Sequence, residues 1–337
     1  MRRAEVEISI KGKDVTRDLQ PYLLSLDYTD KSDDELDDLQ LSLEDRERLF
    51  QGDWMPRPGD IIAAKIRTFN WHGFGDSGEI DCGEFECDEI ELENGTDGDR
   101  IAIKAVPAVV KSSLMNQRKT RAWGDCPMAQ VIAHIAGEAG LDTLYKAPEI
   151  VFERVEQRQE SDLAFMQRIC KEQGLRLAVK KSRVIVYMGQ TADATDPLEY
   201  KREEADASGF RFRKTMNGIY TECRVGYTDA DASDTTDKSF QPEEPPSTGK
   251  VLTINKRIEH PAQAERVARA ELRDKNSQEI TGSFDGMGDT RLVAGCILDL
   301  KGWGQFDSTY VIRQAKHTVD FTGGYRTSVE LEKALEY

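Results

Sequence analysis

The chain has 337 residues, 38% of them hydrophobic and 32% charged, with a formal net charge of −16. That length supports two or three domains with cores of their own, and the acidic balance argues against a grip on nucleic acid, which needs clustered Lys and Arg to neutralise phosphates. No apolar run approaches the ~20 residues of a membrane helix, the opening MRRAEVEISIKGKD reads as too polar for a signal peptide, and six scattered cysteines read as reduced thiols.

The first hundred residues alternate as strands do. Val6, Ile8 and Ile10 form one apolar face, then Tyr22, Leu24, Leu26 and Tyr28, then Leu39, Leu41 and Leu43. The acidic run TDKSDDELDD between the last two reads as a solvated loop. Gly59 and Asp60 mark a bend before another strand.

The middle changes period. Met128, Val131, Ile132, Ile135 and Ala139 fall at helical spacing, with Gly140 as a stop. A second helix opens at Ser161, a residue suited to an N-cap, with Asp162 at the positive helix start and Leu163, Met166, Ile169 and Cys170 on one face; Gly174 ends it. Leu175, Leu177 and Val179 alternate up to KKSR, and Val184 to Met188 return as a hairpin. Residues 111–205 are therefore an α/β insert with two helices and a hairpin. Strands resume near residue 209, broken by an acidic, Pro/Ser/Thr-rich run over 228–249 that reads as a mobile loop. A helix over 259–276 follows, with Pro261 in its first turn. The C-terminal region is strand again, turning at TGGY.

Two strand regions resemble each other. Phe85 aligns with Tyr310, Cys87 with Ile312 and Ile90 with Ala315; after one inserted residue, Gly98 aligns with Gly324, Arg100 with Arg326 and Ile103 with Val329. Gly59 and Gly295 precede the strand before each. A duplication accounts for this order. It also decides how DCGEFECDEIEL is read, since Cys87 then stands where isoleucine stands in the other copy, as a small hydrophobe on a strand. A structural zinc would need two further ligands, and His72, His134, His260 and His317 show no paired spacing.

No P-loop, GxGxxG, HExxH or GxSxG element is present. Asp229 and Asp231 open an EF-hand-like run, but Asp234 replaces its turn glycine and Phe240 its bidentate glutamate. The carboxylates are too numerous for any pair to be singled out as a glycosidase acid and base. Trp54, Trp71, Trp123 and Trp303 lie near glycines and turns, suiting either an exposed sugar platform or strand-end packing. No catalytic residue, metal or cofactor is assigned.

At ESDLAFMQRICKEQGLRLAVKKSRVIVY the chain resembles the late control protein D family of contractile-tailed phages, baseplate hub proteins related to the hub part of VgrG spikes. Ser161, Asp162, Leu163, Phe165, Met166, Arg168 and Gly174 carry the match. A second block continues it through Ala268, Leu272, Gly282, Gly295, the FDSTYVI strand and Gly324 in GGYRTSVEL. The N-terminal DVTRDLQPYLLSLDYTD and GDWMPRPGD also look like hub openings, so the resemblance spans nearly the whole chain.

The resemblance implies a mainly β fold with an α+β insert: two tandem related β-barrels, residues 1–110 and 206–337, forming a ring, and a peripheral α/β domain over 111–205. It implies a homotrimer in which three chains supply six similar units, so that a six-fold tail tube or tube initiator and a three-fold spike share one axis. Wedge or sheath proteins would meet the insert, and DNA or cargo would pass the lumen without specific binding. Either the acids line that lumen or they keep the outer surface soluble. The implied location is the tail baseplate of a virion or similar injection particle, assembled in the bacterial host cytoplasm. No spike repeat or lytic segment is visible, so the spike is expected as a separate chain. The competing readings are a tail-associated cell-wall hydrolase and a carbohydrate-binding module.

Overall fold

The computed structural model describes residues 1–32, 35–96, 98–108, 113–191, 196–203, 207–228, 235–255, 258, 261–320, 322 and 324–337. The N-terminal part contributes β1 (Arg3–Ile10), β2 (Lys13–Asp14), the short α1 (Thr16–Leu19), β3 (Leu23–Lys31), β4 (Asp38–Glu44), β5 (Ile61–Phe69), β6 (Ser77–Gly95) and β7 (Gly98–Pro107). The middle holds α2 (Ser113–Asn116), β8 (Arg118–Pro127), α3 (Met128–Glu138), β9 (Asp142–Lys146), β10 (Val151–Ser161), α4 (Asp162–Glu172), β11 (Arg176–Lys180) and β12 (Arg183–Tyr187). The rest comprises β13 (Leu198–Lys201), β14 (Ala207–Lys214), β15 (Glu222–Thr228), β16 (Thr235–Phe240), β17 (Val251–Asn255), α5 (Pro261–Asn276), β18 (Ile280–Met287), β19 (Ile297–Lys301), β20 (Ser308–Asp320) and β21 (Gly324–Lys333).

The alternating apolar positions face inward, as a half-buried antiparallel sheet requires. Leu39, Leu41 and Leu43 on β4 are each at most 1% exposed. Burial of such side chains contributes about 1.5–3 kcal/mol apiece. On β3 the expected phase is interrupted: a bulge between Leu23 and Ser25 turns Leu23 inward, while Leu24 is half-buried. The extra residue of a bulge shifts the two-residue period, which a pattern count cannot see.

Thirteen strands form one sheet, with a main path β14-β18-β21-β20-β3-β4-β7-β6-β5-β1-β2, β19 attached to β20 and β13 to β19. This path contains the same arrangement twice. The order β3-β4-β7-β6-β5-β1 in the first part corresponds to β14-β18-β21-β20-β19-β13 in the second, with strands following one another along the chain in the same sequence. The ladders agree in detail. Cys87 lies opposite Ala105 and Ile90 opposite Ile103, with a bulge between Cys87 and Glu89; Ile312 lies opposite Leu331 and Ala315 opposite Val329, with a bulge between Ile312 and Gln314. The turn glycines match too, since Gly59 N donates to Cys87 O at 2.9 Å and Gly295 N to Ile312 O at 2.8 Å. Both have positive φ, +97° and +83°, where an L side chain is strained. One difference separates the copies: β1 runs antiparallel to β5, whereas β13 runs parallel to β19.

Each copy has its own core. Leu26, Leu41, Ile62, Phe85, Cys87 and Ile103 belong to the first, and Phe284, Leu298, Tyr310, Ile312 and Val329 to the second. Cys87 is fully buried at the place Ile312 takes in the other copy, so the strand reading of that stretch describes what the chain does.

The insert packs α3 and α4 over the β11-β12-β9 sheet and a β8–β10 ribbon around one further core that includes Met128, Ile135, Phe165, Met166 and Val184. The β11–β12 hairpin follows the alternation; β9 adds in parallel, and the ribbon was not foreseen because its strands are rich in Arg, Glu and Gln. The run expected as a mobile loop over 228–249 contains β16, paired antiparallel with β15, so part of it is strand; residues 229–234, with Asp229, Asp231 and Asp234, lie outside the described residues. Phe240 anchors that strand against Tyr337, with ring centroids 5.6 Å apart. The helix expected over 259–276 spans Pro261–Asn276, and residues 259–260 lie outside the described residues.

Candidate functional site

The two sheet copies are joined edge to edge by β20 and β3, which pair antiparallel from Gln314↔Lys31 to Asp320↔Ser25. Only the half of β20 beyond its bulge takes part; the half before it pairs with β19. Lys316 Nζ meets Asp27 Oδ1 at 3.0 Å and Thr318 Oγ1 donates to the same carboxylate at 2.6 Å, so the seam is tied by side chains as well as backbone. On the core side His317 is fully buried, stacked on Tyr28 with centroids 6.2 Å apart, and its Nδ1 lies 2.9 Å from Tyr325 Oη. Burial drives the His317 imidazole down to about pKa 4, outweighing the opposing pull of Asp30, so it is neutral at physiological pH.

Above this seam the acidic run expected as a solvated loop turns inward at both ends. Asp30 and Asp37 are 6% and 8% exposed, and Lys180 Nζ, from the end of β11, bonds Asp30 Oδ1 at 2.6 Å and Asp37 Oδ1 at 2.5 Å. Asp30 Oδ2 accepts from Ala294 N at 2.8 Å. One buried ion triad therefore links the first copy, the insert and the second copy. Burial pulls the Lys180 ammonium down, but the two carboxylates prevail and hold it above its ordinary value; burial raises Asp37, and Lys180 opposes that only in part. Sequence reading missed these residues because a lysine in the basic KKSR stretch of a hairpin and acids in an acidic run carry the same signature as solvated charges.

The family-motif residues of the insert perform structural work. Ser161 caps α4, its Oγ accepting from Ala164 N at 3.3 Å. Asp162 does more than favour the helix start: it is fully buried and paired with Lys119 at 2.7 Å and with Arg121. Leu163 and Phe165 are buried, and Phe165 stacks on Trp123 at 5.1 Å. Arg168 pairs with Glu160 at 2.7 Å and Glu172 at 3.0 Å, and these hydrogen bonds raise its pKa. Gly174, with φ +70°, lets the end of α4 touch α5 closely: a Cβ there would stand 2.7 Å from Arg266 O. Gly295 and Gly324 lie in the sheet, at the bends already described, and are not brought together with the insert motif; Gly324 has φ +78°.

The tryptophans pack against neighbouring rings or backbone, although Trp54 stays 43% exposed. Trp71 is 6% exposed and bonds Gly288 O, Trp123 stacks on Phe165, Trp303 packs against Phe210, and Trp54 meets Tyr22 and Phe50 edge-on. The phage tail baseplate hub (GPD) family model matches residues 83–322.

The chain belongs to the phage tail baseplate hub family.

Among curated hub relatives, it is 23% identical over 222 residues to a probable baseplate hub protein of Escherichia phage 186, covering 64% of this chain and 53% of that protein. It is 24% identical over 220 residues to the corresponding protein of Escherichia phage P2, covering 64% and 54%. The hub chain thus spans about half the length of the curated relatives it matches. Among solved structures, a tail protein from Neisseria meningitidis MC58 aligns with TM-score 0.71 at 11% identity, covering 98% of this chain and 96% of that one. The 43 kDa tail protein of prophage MuSo2 from Shewanella oneidensis aligns with TM-score 0.70 at 12% identity, covering 97% and 98%. An E. coli component of the type VI secretion system aligns with TM-score 0.57 at 13% identity, covering 98% and 77%. At such identities these likenesses establish the fold.

Proposed function

We propose that this hub-family chain is a structural baseplate subunit, a homotrimeric adaptor that seats a six-fold tail tube or tube initiator on a three-fold spike. The observation that carries this is the duplicated six-strand arrangement within one continuous sheet: three chains with two similar units each present six quasi-equivalent surfaces about one axis. In this reading residues 1–110 and 206–337 build the ring together with β13, which falls within the range expected for the insert but belongs to the second sheet copy, and the rest of 111–205 stands outside it toward wedge or sheath proteins. Membership of the hub family and the likeness to tail proteins and to a type VI secretion component support placement at the baseplate of a tail or related particle; assembly in the host cytoplasm is part of the same proposal.

The solvent face of the long sheet would line the channel. Its charges are interleaved, with Lys104 3.0 Å from Glu89, Lys31 3.3 Å from Asp38 and Lys316 3.0 Å from Asp27. In this reading its bases are paired with carboxylates and not clustered, so DNA or cargo would pass for want of a basic grip. The test is the mass of the purified chain, alone and with its neighbouring spike protein. A three-chain assembly in the mixture is the expected result; a chain that stays single in both overturns the reading. Clearing of peptidoglycan on a zymogram would favour the hydrolase instead.

A further inference from the structure

The duplication leaves one seam made and one unmade. Within the chain, β20 beyond its bulge pairs with β3. In the first copy the equivalent stretch of β6, from Glu89 to Gly95, pairs only with β7 among the described residues. In the second copy β14, the equivalent of β3, pairs only with β18 among the described residues. We propose that these two open edges pair with each other between copies of the chain, β6 of one protomer against β14 of the next, in the register of the internal seam.

The matched ladders transpose that register residue by residue. In the seam Lys316 faces Thr29, His317 faces Tyr28 and Thr318 faces Asp27. Phe212 takes the place of Tyr28, since each lies across from Gly282 or Leu39, which in turn lie across from Leu331 and Ala105. Leu92 takes the place of His317 by the shared bulge. The transposed pairs are Glu91 with Arg213, Leu92 with Phe212, and Glu93 with Arg211. Acid meets base on the solvent face twice, and apolar meets aromatic on the core face. The backbone ladders alone fix this register.

Burial points the same way. His317 is fully buried in its seam, whereas Leu92 at the same place is 48% exposed, an apolar side chain on an uncovered edge. An open strand edge with such a residue is a template for pairing. The charge pattern is inverted relative to the internal seam, where the base lies on β20 and the acid on β3. Against a second β3 the same register would set Glu93 opposite Asp27, like charge on like, so the inversion directs β6 to β14 and discourages a wrong union. The contact is head-to-tail, and it closes as a ring if the internal step between the two copies is repeated.

This inference rests on the trimer reading, and the experiment separates the two. A chain carrying Glu93→Cys and Arg211→Cys is oxidised in the mixture with spike protein, beside a shifted control with Glu93→Cys and Arg213→Cys; directly opposed residues lie within disulfide reach and shifted ones do not. The expected result is a covalent ladder ending at three chains for the first and none for the second. In parallel, Glu91→Arg with Glu93→Arg, and separately Arg211→Glu with Arg213→Glu, are expected to leave single chains with unchanged thermal unfolding, while the two pairs combined restore the three-chain mass. Three-chain assemblies that neither cross-link in this register nor respond to charge reversal would overturn the inference and leave the trimer standing. Single chains throughout, for the unaltered protein with spike, would overturn both.

Discussion

Lys180 shows how much one side chain can hold. It neutralises two buried carboxylates from the acidic run and so bonds the insert to the first sheet copy, while Asp30 reaches the second. Removing one partner of a buried charge cluster leaves the others unpaired, which costs about 3–5 kcal/mol. Lys180→Met is therefore expected to lower the unfolding free energy read from urea titration by that order, and adding Asp37→Asn to recover part of it. Because the folded-state pKa of Lys180 is raised, its contribution is complete below the ordinary lysine value and is lost as pH climbs through the folded one. His317 has the opposite sign. Its folded pKa is depressed to about 4, so its stabilising effect is present above pH ~6.5 and lost as pH falls from there to about 4, roughly 3 kcal/mol in all. Urea unfolding of His317→Phe should show a flatter pH dependence than the native chain between pH ~6.5 and ~4.5, above the range where most carboxylates titrate.

At the scale of elements, the close approach of α4 to α5 depends on a single missing Cβ. Gln263 Nε2 donates to Glu172 O at 3.0 Å and Arg266 Nη2 to Gln173 Oε1 at 2.9 Å, so the C-terminal end of one helix is held by side chains of the other. Gly174→Ala would place a side chain at positive φ and against backbone oxygen at once. A loss of more than about 1 kcal/mol is expected, read by thermal unfolding, with Gly140→Ala as the comparison: that glycine also has positive φ, +73°, but nothing within 4 Å of the added atom. If the two substitutions cost the same, the helix contact contributes nothing beyond backbone conformation. The bulges act at this scale too. Each splits a long strand into a half flanked on both sides by its own copy and a half flanked by its own copy on one side only, the other side of β20 being taken by β3.

For the whole molecule, the insert as far as Tyr187 is fastened to the sheet at Lys180 and to α5 at Gly174 but contributes no strand to the sheet, whereas β13, inside the range expected for the insert, joins the second sheet copy. Replacing residues 113–187 by a flexible linker, with Asp30→Asn and Asp37→Asn to relieve the buried acids, is expected to keep the three-chain mass with spike protein and to abolish complete tail formation in complementation. Full tails from the shortened chain would count against a role for the insert toward wedge or sheath.

Much of the architecture was legible in the chain because its information is local. Period-two alternation marks β4 and β5, period 3.6 marks α3 and α4, and paired glycines at Gly59 and Gly295 and at Gly98 and Gly324 reveal two hairpins built alike. The motif from Ser161 to Gly174 carried the family for the same reason: caps, buried faces and helix stops are set within a few residues. What the tertiary structure decided is which edges meet. Strand periodicity says which face of a strand is buried and nothing about its lateral neighbour, so the β20–β3 seam, joining strands at opposite ends of the chain, had no local trace. The fate of the charges was hidden likewise. Asp30 and Asp37 look like solvent-facing acids until Lys180 is brought to them from another domain, because the free energy of a buried ion depends on a partner that only the folded chain supplies.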